Sequence, residues 1–376
     1  MDGFDLLILT FSLGAIAASF KISSTEAASL TSLTLWGAVT GGLIFGVLAD
    51  RLGRVKVLSW SIALFAVFTG LCALASDFTL LAVFRFIAGM GLGGEFGIGM
   101  ALASEAWPSR LRARATALVG LGWQFGVLVA ALASPLVIGA WGWRGLFAIG
   151  VVPAIGAYLI RRGVPEPARF TASGPGFLAG LRSLVANRST AAATIGILVL
   201  CSVQNFGYYG IMTWLPGYLS KQFGYSLTKS GVWTAVTVVG MACGIFLFGI
   251  LADRFGRKPT FWVYQAGAVL SVLLYSTLSS STALLFGGAL MGFFVNGMLG
   301  GLGALIAENY PTAIRASAEN VLFNIGRGVG GFGPVVVTWV VAQYGFHTAI
   351  GLLASIYVLE MLAMFLVPER KGAELT

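Results

Sequence analysis

The clearest ionisable residues inside long apolar stretches of this sequence are Asp5, Arg85, Glu95 and Arg327. A charge at the centre of a bilayer costs at least about 2.5–3.5 kcal/mol unless it faces a partner or a wet cavity. A carboxylate in such a place can take up and release a proton. An arginine can bind the carboxylate of a bound molecule with its planar, permanently charged guanidinium group. These residues therefore predict that protons and an organic anion are handled inside a membrane.

Two acids are candidates for proton coupling. We expect Asp5 to carry the coupling proton and take Glu95 as the second candidate, although a buried structural hydrogen bond explains Glu95 equally well. Arg85 and Glu95 are ten residues apart, about 15 Å along a helix, so each needs a partner elsewhere. Glu319, near the cytoplasmic end of a helix, and Glu360, in the last apolar stretch, are further acids without an assigned role.

The arginines indicate where an anion would bind. We expect Arg327 to hold it, because the corresponding position in the first half is Gln124 and membrane topology demands no charge there. Arg85 either binds or couples, or it braces its helix against the first one through Asp5. The seventh apolar stretch adds side chains with an apolar body and a polar tip, which suit planar organic acids. The expected substrate-binding residues are Arg327, Arg85, Gln124, Gln204, Asn205, Tyr208 and Asn324.

The elements that must position these residues are membrane helices. Of the 376 residues, 57% are hydrophobic and only 10% are charged. That is too few ionised groups to cover a water-facing surface, which excludes a soluble enzyme. Breaking the sequence at charged and turn-forming clusters gives twelve apolar stretches, most of them long enough to span a core of about 30 Å. They lie at 4–20, 30–49, 57–75, 79–104, 115–139, 145–160, 191–219, 229–252, 260–278, 282–307, 316–341 and 347–367.

The distribution of basic residues predicts the orientation and the domains. With the N-terminus inside, most of the 23 Lys and Arg fall in cytoplasmic loops, where short loops retain basic residues. Both termini are therefore expected in the cytoplasm, with the protein in the inner (plasma) membrane. The net charge of +9 follows from this topology and does not indicate nucleic acid. The stretch 161–190, rich in arginine and proline, is predicted to link bundles 1–160 and 191–376.

An internal repeat relates the two halves of the chain. GVLADRLGRVK at 46–56 recurs as GILADRFGRKP at 249–259, an offset of 203 residues. The same offset relates Glu105 to Glu308 and Gly89 to Gly292. An even number of spans separates the copies, so the repeats are parallel. Two parallel six-helix halves are the layout of a transporter with its site at the midplane.

The repeated loop carries groups that can act as a mechanical latch. Asp50 and Asp253 lie where a loop leaves a span. A carboxylate there can accept hydrogen bonds from the N-terminus of a neighbouring helix while it pairs with an arginine. Such pairs can form in one state and break in another. The alternative is that these charges only end helices and set the topology.

The G-x-L-A-D-R-x-G-R pattern at 46–54 and 249–257, with Arg85, Gly89 and Gly91 in the fourth stretch, resembles signatures of the major facilitator superfamily. The resemblance implies an all-α integral membrane protein with twelve transmembrane helices in two six-helix bundles, acting as a monomer. It also implies that the latches hold the cytoplasmic side closed while the carrier faces outward. The first latch would comprise Asp50, Arg54, Glu105 and Arg112, and the second Asp253, Arg257, Glu308 and Arg315.

Within the superfamily, the chain resembles proton-coupled carboxylate carriers of the aromatic-acid and sialate types. The segments that carry this resemblance are DGFDLLIL at 2–9, GLGGEFG at 91–97, YYGIMTWLP at 208–216 and NIGRGVGG at 324–331. The D-x-x-D element of these carriers matches Asp2 and Asp5, which adds Asp2 to the proton-coupling residues. In those carriers the element lies well inside the first helix, whereas this chain begins at it. A truncated first helix or a mis-assigned start is therefore expected.

No grouping of residues indicates bond-making chemistry, a metal or a cofactor. Cys72, Cys201 and Cys243 fall in separate stretches without metal-ligand spacing. The G-x-G-x-x-G pattern at 89–94 lies in a membrane helix with no preceding strand. The expected partners are a small anionic molecule, protons and the bilayer. Two other functions stay open: proton-driven efflux of amphipathic compounds, which the 12% aromatic content suits, and a membrane sensor or scaffold that transports nothing.

Overall fold

The computed structural model describes residues 2–152, 155, 163, 165–166, 177–223 and 227–374. In these residues the regular structure is helical, without strands. Ten stretches of this part of the chain are helical, long and apolar enough to cross a membrane, and Leu136–Ile149 is a shorter apolar helix. The prediction of an all-α membrane protein is confirmed. The predicted stretch 145–160 falls partly outside the described residues.

The helices of the first half follow the predicted apolar stretches. They are α1 (Asp2–Phe20), α2 (Ser24–Leu52), α3 (Arg54–Cys72), α4 (Phe78–Ala106) and α5 (Arg112–Ile149). A short 3₁₀ helix, Ser109–Leu111, precedes α5. Within α5, Gly142 has φ 67° and ψ −175°, and this non-helical residue separates the predicted fifth and sixth stretches.

The second half contains helices that are interrupted within two of the predicted stretches. They are α6 (Phe177–Ser183), α7 (Arg188–Phe223), α8 (Leu227–Phe255), α9 (Arg257–Thr277), α10 (Ser281–Gly297), α11 (Leu299–Asn309), α12 (Arg315–Gly330), α13 (Gly333–Tyr344) and α14 (Phe346–Ala363). The predicted stretch 282–307 is divided between α10 and α11, and 316–341 between α12 and α13. The second interruption precedes Pro334, which lies in the first turn of α13, where a missing N–H costs nothing.

The 203-residue repeat is present in the backbone as well as in the sequence. Gly53 and Gly256 separate two helices in each half, with φ of 113° and 112°. Glycine reaches this region at little cost. Asp77 and Ser280, also one offset apart, cap the next helix by accepting a hydrogen bond from the N–H three residues later, at 2.9 and 3.2 Å. The backbone bond from Leu80 lowers the pKa of the Asp77 carboxyl.

One compact unit is built mainly from first-half helices. Its segments are Met1–Glu105, Phe125–Leu181 and Thr312–Asn324. Gly89 and Gly93 on α4 lie so close to α2 that an added Cβ would collide with the carbonyl oxygens of Thr34 and Ala38. Small residues at this spacing let membrane helices approach closely. Ala316 of α12 belongs to an apolar core with residues of α2, α3 and α4, so the start of α12 packs inside this unit.

The other compact unit is built mainly from second-half helices. Its segments are Ala106–Gln124, Arg182–Pro311 and Ile325–Thr376. Gly240 and Gly244 on α8 make the corresponding close approach to the backbone of Ala289 and Phe293 on α10. The first part of α5 packs in this unit. For example, Thr116 donates a hydrogen bond to the carbonyl of Gly300 at 3.3 Å.

Candidate functional site

A buried ion pair joins α1 to α4. Arg85 donates from Nη2 to Oδ2 of Asp5 at 2.6 Å and from Nη1 to Oδ1 at 3.0 Å. Thr69 donates to Asp5 at 3.2 Å, and Thr34 accepts from Nε of Arg85 at 3.2 Å. Both members of the pair are buried. A bidentate ion pair of this kind is strong and fixes the orientation of the two groups relative to each other. Of the two interpretations of Arg85, this contact corresponds to bracing one helix against the other.

Arg327 lies in a buried aromatic environment in the second-half unit. Its guanidinium carbon is 5.2 Å from the ring centroid of Trp123. The indole N–H of Trp123 donates to the hydroxyl of Tyr208 at 3.2 Å, and Tyr208 packs edge-on against Tyr209 at 5.3 Å between ring centroids. Arg327 is fully buried. A fixed cation among aromatic rings with polar tips can recognise a planar carboxylate.

Trp123 was not expected at the site, although the sequence holds a signal for it. Tryptophan in membrane proteins concentrates at the two interfaces, whereas Trp123 lies inside the predicted stretch 115–139. Its neighbour Gln124 is 2% exposed, and within the described residues neither polar atom of its side chain has a hydrogen-bond partner. A bound polar group could satisfy this amide. The structure thus brings Arg327 and Tyr208 together through Trp123.

The other expected binding residues contact protein groups. Gln204 donates to Asn296 at 2.7 Å, and Asn205 donates to the carbonyl of Cys201 one turn earlier at 2.8 Å. Asn324 belongs to the first-half unit, where it donates to the carbonyls of Gly93 and Asn320 at 2.8 and 2.9 Å.

The contacts of the remaining proton-coupling candidates, Glu95 and Asp2, are described in less detail by the structure. Glu95 is half-buried on α4. The side chain of Asp2 lies outside the described residues, although its backbone begins α1.

Four of the expected latch residues form one buried cluster, which we call the Glu105 cluster: Asp50, Arg54, Glu105 and Arg315. Oε1 of Glu105 accepts from Arg315 at 2.9 Å and from Arg54 at 3.2 Å. Arg54 also pairs with Asp50 at 3.0 Å. Asp50 caps α12, because it accepts from the N–H groups of residues 316 and 317 at 3.1 and 2.8 Å. A carboxylate at a helix N-terminus is stabilised by the helix dipole.

The other four form an equivalent buried cluster, the Glu308 cluster: Asp253, Arg257, Glu308 and Arg112. Glu308 accepts from Arg257 at 2.7 and 3.0 Å and from Arg112 at 2.8 Å. Arg257 pairs with Asp253 at 3.0 Å. Asp253 accepts from the N–H groups of residues 113 and 114 at 3.0 and 3.1 Å, which begin α5. The two clusters match, position by position, at the 203-residue offset.

The structure pairs two of the latch arginines with different glutamates than the sequence analysis predicts. Arg112 was grouped with Glu105, and Arg315 with Glu308. Instead Arg112 binds Glu308 and Arg315 binds Glu105. The reason is that each of these arginines lies in a segment that packs in the unit built mainly from the other half of the chain; we call these two segments exchanged. Ala106–Gln124 packs in the second-half unit and Thr312–Asn324 in the first-half unit.

Two further acids support the clusters and were missed by the sequence analysis. Glu166 accepts from the N–H of Lys56 at 3.0 Å, in the first turn of α3. Glu369 accepts from the N–H groups of Arg257 and Lys258 at 3.2 and 2.7 Å, in the first turn of α9. The signal was present, because the tripeptide Val-Pro-Glu occurs at 164–166 and again at 367–369, one offset later.

Metal ligands are not gathered anywhere in the part of the chain that the structure describes, where no group of three or more His, Cys, Asp or Glu side chains could hold an ion. Cys72 and Cys201 are buried and Cys243 is exposed, all as free thiols.

Comparisons with known proteins cover the whole chain. The model of the Major Facilitator Superfamily matches residues 1–243 and 218–376. A Haemophilus influenzae protein described by name as a metabolite transport protein is 58% identical, over 100% of this chain and 95% of that one. The cis,cis-muconate transport protein of Acinetobacter baylyi is 31% identical, over 90% and 84%. The solved structure of the proton:xylose symporter XylE matches with a TM-score of 0.82 at 19% identity, over 100% and 94%, a likeness of fold.

Proposed function

The chain belongs to the major facilitator superfamily and is a metabolite transporter, and from this premise we propose that it takes up a small organic anion together with protons. Transport proceeds by alternating access in the inner (plasma) membrane, with both termini in the cytoplasm and the monomer as the working unit. The substrate is a carboxylate, such as an aromatic acid, a sialate or a related metabolite.

The observation that carries the anion proposal is the position of Arg327. Its permanent charge is fully buried beside Trp123, which is linked in turn to Tyr208. Burying a charge in a membrane protein is costly unless function or a partner compensates for it. A planar carboxylate that entered this site would pair with the guanidinium and pack on the rings. The muconate carrier named above, a relative by sequence, moves a carboxylate according to its name.

Proton coupling is assigned to the Asp5–Arg85 pair. When Asp5 is ionised, the two-pronged contact ties α1 to α4. Protonation removes the negative charge and weakens this contact, because a charged donor bonds a neutral acid less strongly than a carboxylate. Proton binding at Asp5 would therefore change how firmly the two helices are held together. That change is what couples proton movement to a conformational step.

The Glu105 and Glu308 clusters act as the latches of this cycle. Each glutamate binds two arginines. One of them, Arg54 or Arg257, directly follows a glycine turn, and the other, Arg315 or Arg112, lies in the exchanged segment. The exchanged contacts join residues of different sequence halves, so they must break when the halves separate on the side that carries them.

A binding experiment on the purified full chain tests the anion site. Small carboxylates, including benzoate, nicotinate, muconate and sialate, are added while thermal unfolding is followed, because a molecule that binds only the folded state raises its unfolding temperature. At least one acid should stabilise the wild type. Arg327→Lys should weaken its binding about tenfold or more, since an ammonium lacks the two-pronged geometry of the guanidinium. Arg144→Lys, at an exposed arginine, is the matched control.

Equal binding by wild type and by both Arg327→Lys and Arg327→Ala would contradict the anion site. Stabilisation by lipophilic cations alone would favour efflux of amphipathic compounds, which the aromatic rings around Arg327 also suit. An absence of binding by every solute would favour a sensor or scaffold instead of a carrier.

A further inference from the structure

The two clusters differ at two positions that bear a charge: Arg114 at the Glu308 cluster corresponds to Ser317, and Glu319 at the Glu105 cluster corresponds to an uncharged residue. The offset of 203 residues relates Glu319 on α12 to Thr116 on α5. Each follows the arginine of its cluster by four residues, so each lies one turn further on the same helix face. Thr116 is uncharged, and its hydroxyl bonds backbone carbonyls, including that of Gly300. Glu319 instead adds a third carboxyl group to the Glu105 cluster.

Glu319 is buried against the charges of that cluster. It is 2% exposed and interacts electrostatically with Arg315 on its own helix and with Glu105 on α4. Asp50 and Arg54, from α2 and α3, are the other buried charged groups of the cluster within the described residues. The nearby basic residues Arg51 and Lys56 are exposed, so solvent screens them.

The charges of the Glu105 cluster do not balance without a proton. Among the residues that the structure describes, three buried carboxyl groups, Asp50, Glu105 and Glu319, face two buried guanidinium groups, those of Arg54 and Arg315. An uncompensated buried charge is expensive, and carboxyl groups that share a site respond by holding a proton between them. In the Glu308 cluster two acids face two buried arginines, and the half-exposed Arg114 lies 3.6 Å from Asp253. That cluster has no excess of carboxyl groups and needs no proton.

Two oxygen atoms of these carboxyl groups are open to such a proton. Oε2 of Glu105 and Oε1 of Glu319 are both buried, and within the described residues neither has a hydrogen-bond partner. Two carboxyl groups that share one proton use an oxygen from each side, one as donor and one as acceptor. The unused oxygens of Glu105 and Glu319 are available for this role.

We propose that Glu105 and Glu319 together bind one exchangeable proton when the Glu105 cluster is closed, which makes this latch, and not the Glu308 latch, responsive to pH. Loss of the proton converts one carboxylic acid to a carboxylate and releases H⁺ to water. The cluster then carries an excess negative charge and opens. Because the closed state binds one proton more than the open state, rising pH favours opening. The proposal rests on the latch role assigned above and adds a regulatory proton site distinct from Asp5.

Hydrogen exchange of the two latch segments in one molecule provides the test. Segment 312–324 begins α12 in the Glu105 cluster, and segment 109–121 is its counterpart in the Glu308 cluster. The ratio of their exchange rates cancels the intrinsic pH dependence that all amides share. In wild type this ratio should rise by up to about tenfold per pH unit over the range in which the closed state holds the proton and the open state does not, and it should level off once the closed state has lost the proton. In Glu319→Gln and in Glu319→Thr, which copies Thr116, the ratio should stay constant.

Glu360→Gln is the matched control, because Glu360 is another buried membrane carboxyl group, outside both clusters. It should keep the wild-type rise. Infrared difference spectra add a direct measure: the absorption of one protonated carboxyl group should be lost on raising the pH in wild type and in Glu360→Gln, but not in Glu319→Gln. A constant exchange ratio in wild type, or an unchanged rise in Glu319→Gln, would overturn the proposal. Neither readout requires a transported solute, so failure of the transport assignment is recognised separately.

Discussion

Glu105 and Glu308 each form ion pairs with two arginines that come from different parts of the chain. The sequence repeat identified all of these residues. It did not identify which arginine meets which glutamate, because Arg112 and Arg315 are equivalent by the repeat. Only the packing of the segments that carry them distinguishes the two arrangements.

The exchanged pairing predicts which residues are energetically coupled. Arg315→Met leaves buried carboxylates uncompensated and should destabilise the protein by about 3–5 kcal/mol, whereas Glu105→Gln removes charge-assisted hydrogen bonds and should cost about 1.5–3 kcal/mol. The double variant should lose less than the sum, with a coupling of about 1–3 kcal/mol. Reversible unfolding in mixed micelles measures the four free energies of the cycle.

The control for this prediction is the cycle of Glu105→Gln with Arg112→Met. The partner of Arg112 is Glu308, so this cycle should show coupling near zero. Strong coupling of Glu105 to Arg112 and none to Arg315 would restore the sequence-based grouping and contradict the contacts described here.

At the scale of elements, most helices were predictable from apolar length and from the distribution of charge. The divisions between α10 and α11 and between α12 and α13 were not, because hydropathy records the length of an apolar stretch and not its local backbone. Pro334 was a usable signal for the second division, since proline favours the first turn of a helix over its interior. For the first division, at Met298, the residue pattern offers no comparable signal.

The sharp turns at Gly53 and Gly256 position the helices that carry Arg54 and Arg257. Both glycines have φ near 112°, which a side chain tolerates only with strain of about 1–3 kcal/mol. A Cβ at Gly53 would also lie 2.5 Å from Oε1 of Glu166, whereas at Gly256 the nearest atom is 3.2 Å away. Gly53→Ala should therefore destabilise the protein more than Gly256→Ala, as measured by thermal unfolding in detergent.

Gly14→Ala is the control for this pair of variants. Gly14 lies inside α1 with nothing within 4 Å of an added Cβ, so the change should be neutral or stabilising by up to about 1 kcal/mol. Equal, small effects at Gly14, Gly53 and Gly256 would show that the two turns do not depend on glycine.

At the scale of the whole molecule, the family, the parallel repeat and the membrane-spanning helices were all accessible from sequence. The composition restricts the chain to a membrane, and the doubled loop motif indicates the superfamily. The anion site was only partly accessible. Arg327 and Tyr208 were expected, but the role of Trp123 as the residue between them depends on how α5, α7 and α12 pack.

We expect an organic anion to cross the membrane together with a proton carried by Asp5. This expectation is tested most directly in proteoliposomes by recording external pH when an acid that binds the wild type is added outside. Protein-free liposomes correct for passive entry of the neutral acid. Wild type should make the external solution more alkaline. Asp5→Asn should lose this signal while still exchanging labelled acid, and Asp77→Asn, at an exposed helix cap, should behave as wild type. Acid uptake without proton movement in wild type, or unchanged proton movement in Asp5→Asn, would contradict the account.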